Sequence, residues 1–332
     1  MDTLLAGTEQ IKKVIIMKEA VEIAEAVFRG HGEGTVVMPP KINLKMGEHG
    51  EWPHYWGSSN SMPAYVDSLD AMGVKFASGY KKNPEKGLPF ILATIILCAR
   101  DTGYPIAVMD GTYITAVRTG AASAVAAKYL ARRNPKTLGI IGAGTQARMS
   151  MRALHEVFDF EEVRIADINK ARALEFAVEM NKELGIYVKA VDSSRHAVEG
   201  SDIIVTVTVA DEPLVMQEWL DLGTLVLSLG SYQELDETIP LKADKLVVDD
   251  WEQCTHRGEL IKLINAGKLD RSMVYSELGE VVAGKKAGRE NDREIICACM
   301  IGIGSLDIGT AKYVYDKLKD KDDVTRFEFC EI

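Results

Sequence analysis

The chain has 332 residues, 47% of them apolar and 27% charged, with a formal net charge of −10. That length exceeds what one compact core usually spans, so two domains are expected, and the acidic balance argues against nucleic acid or an anionic membrane as a partner. The N-terminus lacks a basic region followed by an apolar one, and the longest apolar run, residues 88–99, is too short to cross a bilayer.

Residues 9–29 carry apolar positions at mostly helical spacing, which predicts one or two amphipathic helices, stopped by Gly30, Gly32 and Gly34. Short strand candidates follow at 36–38, 41–46, 61–67, 72–80, 88–100 and 105–110, separated by turn residues. The aromatic patch at residues 52–56 is either a loop over a pocket or a hairpin tip packed on its own sheet. An Ala-rich helix is predicted over 117–132. From Leu138 onward strands and helices alternate, with strands at 138–141, 163–166, 188–191, 203–207, 225–228 and 245–249, which predicts a parallel sheet with helices on both faces. One more amphipathic helix, 303–319, is expected to return to the first domain. Cys98, Cys254, Cys297, Cys299 and Cys330 form no C-x-x-C pair, which points to reduced thiols in a cytoplasmic protein. Cys297 and Cys299 would share one side of a strand as buried thiols. The scattered histidines offer no ligand pair, so no metal is expected.

The stretch Leu138-Gly139-Ile140-Ile141-Gly142-Ala143-Gly144-Thr145-Gln146-Ala147-Arg148 is the most informative in the chain. A strand, a Gly-Ala-Gly turn and a helix start are what a dinucleotide site requires. Gly142 permits the tight turn, Gly144 leaves room for a pyrophosphate at the helix N-terminus, and Ala147 lets the helix lie close on the strand. Asp167, at the end of the next strand, stands where a carboxylate accepts hydrogen bonds from both ribose hydroxyls, and its charge predicts NAD(H) over NADP(H). The alternative role for Asp167 is as the cap of the helix that follows.

Two further runs, Asp101-Thr102-Gly103-Tyr104-Pro105 and Met109-Asp110-Gly111-Thr112-Tyr113-Ile114-Thr115-Ala116-Val117-Arg118-Thr119-Gly120-Ala121-Ala122-Ser123, together with the glycine turn, Gly279 to Gly284, Gly288-Arg289, Gly302 and Asp307, closely resemble the ornithine cyclodeaminase and mu-crystallin family. The resemblance covers nearly the whole chain. It implies an α/β fold in which a Rossmann doubly wound parallel sheet, residues 131–309, binds NAD(H). A discontinuous mixed α/β substrate and dimerisation domain would be formed by residues 1–130 and 310–332. It also implies a homodimer, which would cover the edges of the sheet-rich first domain.

The same resemblance assigns roles. Arg118 matches the arginine that grips the substrate carboxylate, a task suited to a planar bidentate donor. Lys75 matches the lysine beside the imine. Lys41 stands where many relatives have arginine, keeping the charge without the fork, and Phe90 stands where cyclodeaminases have threonine. The cofactor set comprises Thr119, Gly142, Gly144, Thr145, Gln146, Ala147, Asp167, Thr208, Val209, Ser228 and Gly230. In cyclodeaminases the loop after the 225–228 strand carries an aspartate for the substrate's side-chain amine. Here Ser231 or Tyr232 takes that place, and Glu234 and Asp236 match later acidic positions. The expectation is therefore an oxidoreductase that moves hydride to or from the Cα of an amino or imino acid. An ornithine cyclodeaminase, or a non-catalytic protein that binds a nicotinamide and a small ligand, are the alternatives.

Overall fold

The computed structural model describes residues 2–329. It divides into two compact units, one holding the described residues up to Arg118 and from Ile303 onward, the other holding Thr119–Gly302. These divisions fall at 118/119 and 302/303 rather than at 130/131 and 309/310, because the helix Gly111–Leu130 is continuous across the first and the second lies just ahead of the helix Gly304–Leu318.

The first unit is built on strands β1 (Asp2–Ala6), β2 (Val36–Val37), β3 (Ile42–Met46), β4 (Gly57–Val66), β5 (Ala71–Tyr80), β6 (Ile91–Cys98) and β7 (Pro105–Asp110). Its sheet runs from the C-terminal strand Thr325–Glu328 through β1, β7, β6, β5 and β4 to β2, with β3 also paired to β4. All of these pairs are antiparallel except β1 with β7. One face is covered: the helix Gly304–Leu318 packs on β4, β5 and β6 and against the helix Met17–Glu33. Leu306, Ile308, Val314 and Leu318 are buried there, each worth roughly 1.5–3 kcal/mol of transfer from water.

Cross-strand partners share a face of a sheet. The row Met62, Lys75, Ile95, Met109 is therefore on the covered side, and the row Ile42, Ser61, Phe76, Thr94 on the open side. The aromatic segment at 52–56 is the tip of the β3–β4 hairpin, with Trp52 and Tyr55 exposed and the Trp56 ring beside the Lys82 ammonium.

The second unit carries β8 (Thr137–Ile141), β9 (Glu162–Ala166), β10 (Val188–Ala190), β11 (Ile203–Thr206), β12 (Leu225–Ser228), β13 (Lys245–Val248), β14 (Ser276–Glu277) and β15 (Ile296–Cys299). Their order is β10-β9-β8-β11-β12-β15-β13-β14, every pair parallel. This is the doubly wound arrangement, with its switch point at β8, and β15 is inserted between β12 and β13. The interiors of β8, β11, β12, β13 and β15 are fully buried, as a sheet covered on both faces requires.

The Ala-rich helix begins at Gly111, six residues ahead of the expected 117. Asp110 starts it: its carboxylate accepts from the backbone N–H of Thr112 at 2.8 Å and from the Thr8 hydroxyl at 2.7 Å. Cys297 and Cys299 lie side by side on β15 with their Sγ atoms 3.7 Å apart, and Cys98, Cys254, Cys297 and Cys299 are all free thiols. Cys330 lies outside the described residues. Among those residues no group of side chains is arranged to hold a metal ion, and no helix is long and apolar enough to cross a membrane.

Candidate functional site

A buried charge cluster sits on the covered face of the first sheet. Lys75, midway along β5, is 1% exposed, and its Nζ donates to Oδ2 of Asp307 at 2.6 Å and to the Thr115 hydroxyl at 3.4 Å. The other oxygen of Asp307 accepts from Nε of Arg118 at 2.9 Å and from Thr115 Oγ1 at 3.1 Å. Asp307 is supplied by the first turn of the helix Gly304–Leu318, and Thr115 and Arg118 by the helix Gly111–Leu130, one turn apart on the same side.

One carboxylate thus serves two cations, and the charge of Lys41 is also felt at Lys75. The cluster carries excess positive charge in a place with little water. Burial pulls the Lys75 ammonium down to about 7; Asp307 opposes that pull, while Arg118 and Lys41 add to it. For Asp307, burial pushes upward, but Arg118 and Lys75 outweigh it and the carboxyl is held below its ordinary range. Such a group of cations is suited to receive a carboxylate, and a lysine titrating near neutrality is suited to give or take a proton. Phe90 stands elsewhere, over Gly79. Gly79 is four residues along β5 from Lys75, roughly 13 Å at the usual strand rise.

The second unit presents the glycine turn. Gly142 has φ +99°, and a Cβ there would stand 2.9 Å from Thr208 Cγ2 and from the Val207 carbonyl oxygen, so only glycine fits. Gly144 is the N-cap of the helix Thr145–His155 and makes no side-chain cap, and a Cβ placed on it meets nothing within 4 Å. Uncapped N–H groups facing open space are what a pyrophosphate needs, so the residues fit a dinucleotide. Ala147 is fully buried beneath.

Asp167 ties the turn together, accepting from the N–H of Ala143 at 2.7 Å through Oδ2 and from the N–H of Asn169 at 2.7 Å through Oδ1. It does not cap the next helix. Asn169 does, accepting from the N–H groups of Ala171 and Arg172. Lys170 is turned to Asp192, 3.0 Å away.

At the carboxyl ends of β11 and β12 stand Thr208, Val209, Ser228 and Gly230, the remaining expected cofactor positions, and Thr119 lies buried in the helix Gly111–Leu130. Two buried acids that carry no role in the sequence reading hold this region. Glu234 Oε1 accepts from the N–H of Thr208 at 2.7 Å. Glu259 accepts from the Ser228 hydroxyl at 3.1 Å and from the N–H groups of Glu234 and Leu235 at 2.9 and 3.1 Å. Burial raises both to about 7. Neither pairing has a local sequence signal.

The fold is that of a dinucleotide-binding α/β protein, and its first unit carries a buried Lys75–Asp307–Arg118 charge cluster. Residues 1–322 match the model of the ornithine cyclodeaminase/mu-crystallin family, and the chain belongs to that family. It is 38% identical to an alanine dehydrogenase of Archaeoglobus fulgidus, with the whole of both chains aligned. Among solved structures it resembles an archaeal alanine dehydrogenase dimer with bound NAD at a TM-score of 0.91, with 37% identity over 99% of this chain and 100% of that one. It also resembles the Thermococcus litoralis Δ1-pyrroline-2-carboxylate reductase in complex with NADH and L-proline, at a TM-score of 0.89 and 42% identity over 96% of this chain and 98% of that one.

Proposed function

We propose that the protein is an NAD(H)-dependent oxidoreductase that transfers hydride to or from the Cα of an amino or imino acid, as an amino-acid dehydrogenase or imine reductase. The observation that carries this reading is the Lys75–Asp307–Arg118 cluster: a buried excess of cations that includes a lysine titrating near 7. The glycine turn and Asp167 would hold NAD(H), which would supply or accept the hydride. Arg118, with Lys41 adding charge, holds the substrate carboxylate still so that Cα is presented in one orientation. Lys75, protonated, hydrogen-bonds the imine nitrogen and delivers the proton that completes the amine; in the reverse direction it takes that proton back. Asp307 orients both cations.

Ornithine cyclisation is the weaker reading, because the loop after β12 has no acid left for a terminal amine. Glu234 is turned inward to Thr208, and Asp236 accepts from the N–H of Thr238 at 2.8 Å. We also assign the protein to the cytoplasm, on its free buried thiols, and take its working form to be a homodimer.

The test is a spectrophotometric screen at the NADH band with keto acids plus ammonia, with cyclic imino acids, and with L-amino acids plus NAD+. Net oxidation or reduction with at least one is expected. Ammonia release from ornithine with no net change in NADH would overturn the assignment in favour of a cyclodeaminase, and tight binding without turnover would leave a ligand carrier.

A further inference from the structure

Glu234 and Glu259 are buried carboxyl groups of the second unit that the proposed hydride transfer does not use. Glu234 is fully buried; one oxygen accepts from the Thr208 N–H, and the other, Oε2, has no hydrogen-bond partner. That oxygen is aimed at Gly230, where an added Cβ would stand 3.1 Å from it. Glu259 approaches from the segment ahead of the helix Ile261–Asn265, accepting from the Glu234 backbone N–H, and its charge opposes ionisation of Glu234. From β11 the side chains facing Glu234 are Thr206 and Thr208, and the nearest cation acting on the pair is Lys262, on the Glu259 side.

The sheet order locates these acids along a bound dinucleotide. Asp167 ends β9, on one side of the glycine turn of β8, and marks the adenosine side. By the doubly wound rule the nicotinamide half of a bound cofactor would extend to the other side, toward the ends of β11 and β12, where Thr208, Ser228 and Gly230 stand. Glu234 lies directly behind them. The nicotinamide ring is cationic in NAD+ and neutral in NADH, so a buried carboxyl near it meets a different charge in each redox state.

We propose that Glu234 is a redox-state sensor for the cofactor, giving up its proton when NAD+ binds and keeping the protonation it has in the unliganded protein when NADH binds. This rests on the NAD(H)-dependent reading above. The balance is simple: NAD+ binding to the protonated protein releases one proton, from Glu234 to solvent, and NADH binding releases none. With the unliganded pair titrating near 7, NAD+ affinity rises with pH up to about that value and then levels, while NADH affinity stays flat.

The experiment is cofactor binding without turnover. Dissociation constants for NAD+ and NADH are measured by fluorescence or calorimetry on the whole protein from pH 5.5 to 8.5, in buffers of different ionisation enthalpy. Between pH 6 and 8 the NAD+ constant should fall by about tenfold, with release of about one proton at pH 6, and the NADH constant should change by less than about twofold. Glu234→Gln should remove the pH dependence and weaken NAD+ relative to NADH. Parallel pH profiles for the two cofactors in the unaltered protein, or an unchanged preference in Glu234→Gln, would overturn the proposal and leave the NAD(H) assignment standing. Binding of neither cofactor would overturn both. Proton release is read on the unaltered protein, so the outcome does not depend on the variant folding.

Discussion

Asp307 is the residue on which the first unit's chemistry turns. Its one carboxylate faces both Lys75 and Arg118, so the buried cluster holds more cationic groups than anionic ones. Lys75→Ala should lower kcat by about 10²–10⁴-fold, whereas Arg118→Ala should chiefly raise KM, by the equivalent of roughly 2–5 kcal/mol. Full kcat in Lys75→Ala at saturating substrate would reduce the lysine to a carboxylate ligand. The sign of the pH dependence follows from the lysine's role. Reduction needs Lys75 protonated, so kcat/KM for reduction should fall as pH rises above about 7, and the oxidative direction should rise over the same interval. In Asp307→Asn the carboxylate no longer supports the ammonium, so that limb should move to lower pH, and stability should drop by about 3–5 kcal/mol because the Arg118 guanidinium is left buried against a neutral amide. Denaturant titration and a pH–rate profile of the variant check both. Arg118 stands in a run that carries the family resemblance, and Lys75 is a position that the resemblance alone points to. Asp307 was visible only as one position of the resemblance, because its bond to Lys75 joins residues 232 apart and no local pattern announces it.

At the scale of elements, the alternation of short, largely apolar strands and amphipathic helices after residue 137 makes the second unit readable, with β8, β11, β12 and β15 almost entirely apolar and buried. What local pattern does not carry is order across the sheet. β15 is last in sequence among the strands of its unit, yet it lies between β12 and β13. The strand 2–6 escaped notice because five residues with no clear alternation give little signal, and β4 starts four residues ahead of the expected 61 because its polar opening, Gly57 to Asn60, pairs with β3 and β5 on both sides. The glycine turn was read from sequence, but the tie between Asp167 and the Ala143 N–H was not. That tie sharpens a prediction. Asp167→Ala should narrow the preference for NADH over NADPH, and it should also weaken NADH itself, since the turn loses its carboxylate anchor along with any bond to the ribose. Catalytic efficiencies and binding constants with both cofactors separate the two effects, and a clear NADPH preference in the unaltered protein would refute the assigned role.

For the whole molecule, the two faces of the first sheet have opposite needs. The face bearing Lys75 is closed by the helix Gly304–Leu318, while the opposite face presents Val37, Ile42, Leu44, Phe76, Leu92 and Ile96, all exposed and all on one side by register. A contiguous apolar face of this kind on a stable chain calls for a partner. A second copy is the economical one, because a two-fold pairing covers the same patch on both subunits, and about 800 Å² per partner makes a specific interface. Light scattering should therefore report a dimer at micromolar concentration. Replacing Phe76 and Ile96 together by aspartate places charges at the middle of the patch and should give monomers. These monomers should still bind NADH, because neither residue belongs to the dinucleotide unit. A monomer in the unaltered protein, or a dimer that survives the double substitution, would mean that this face is covered by something other than a second copy.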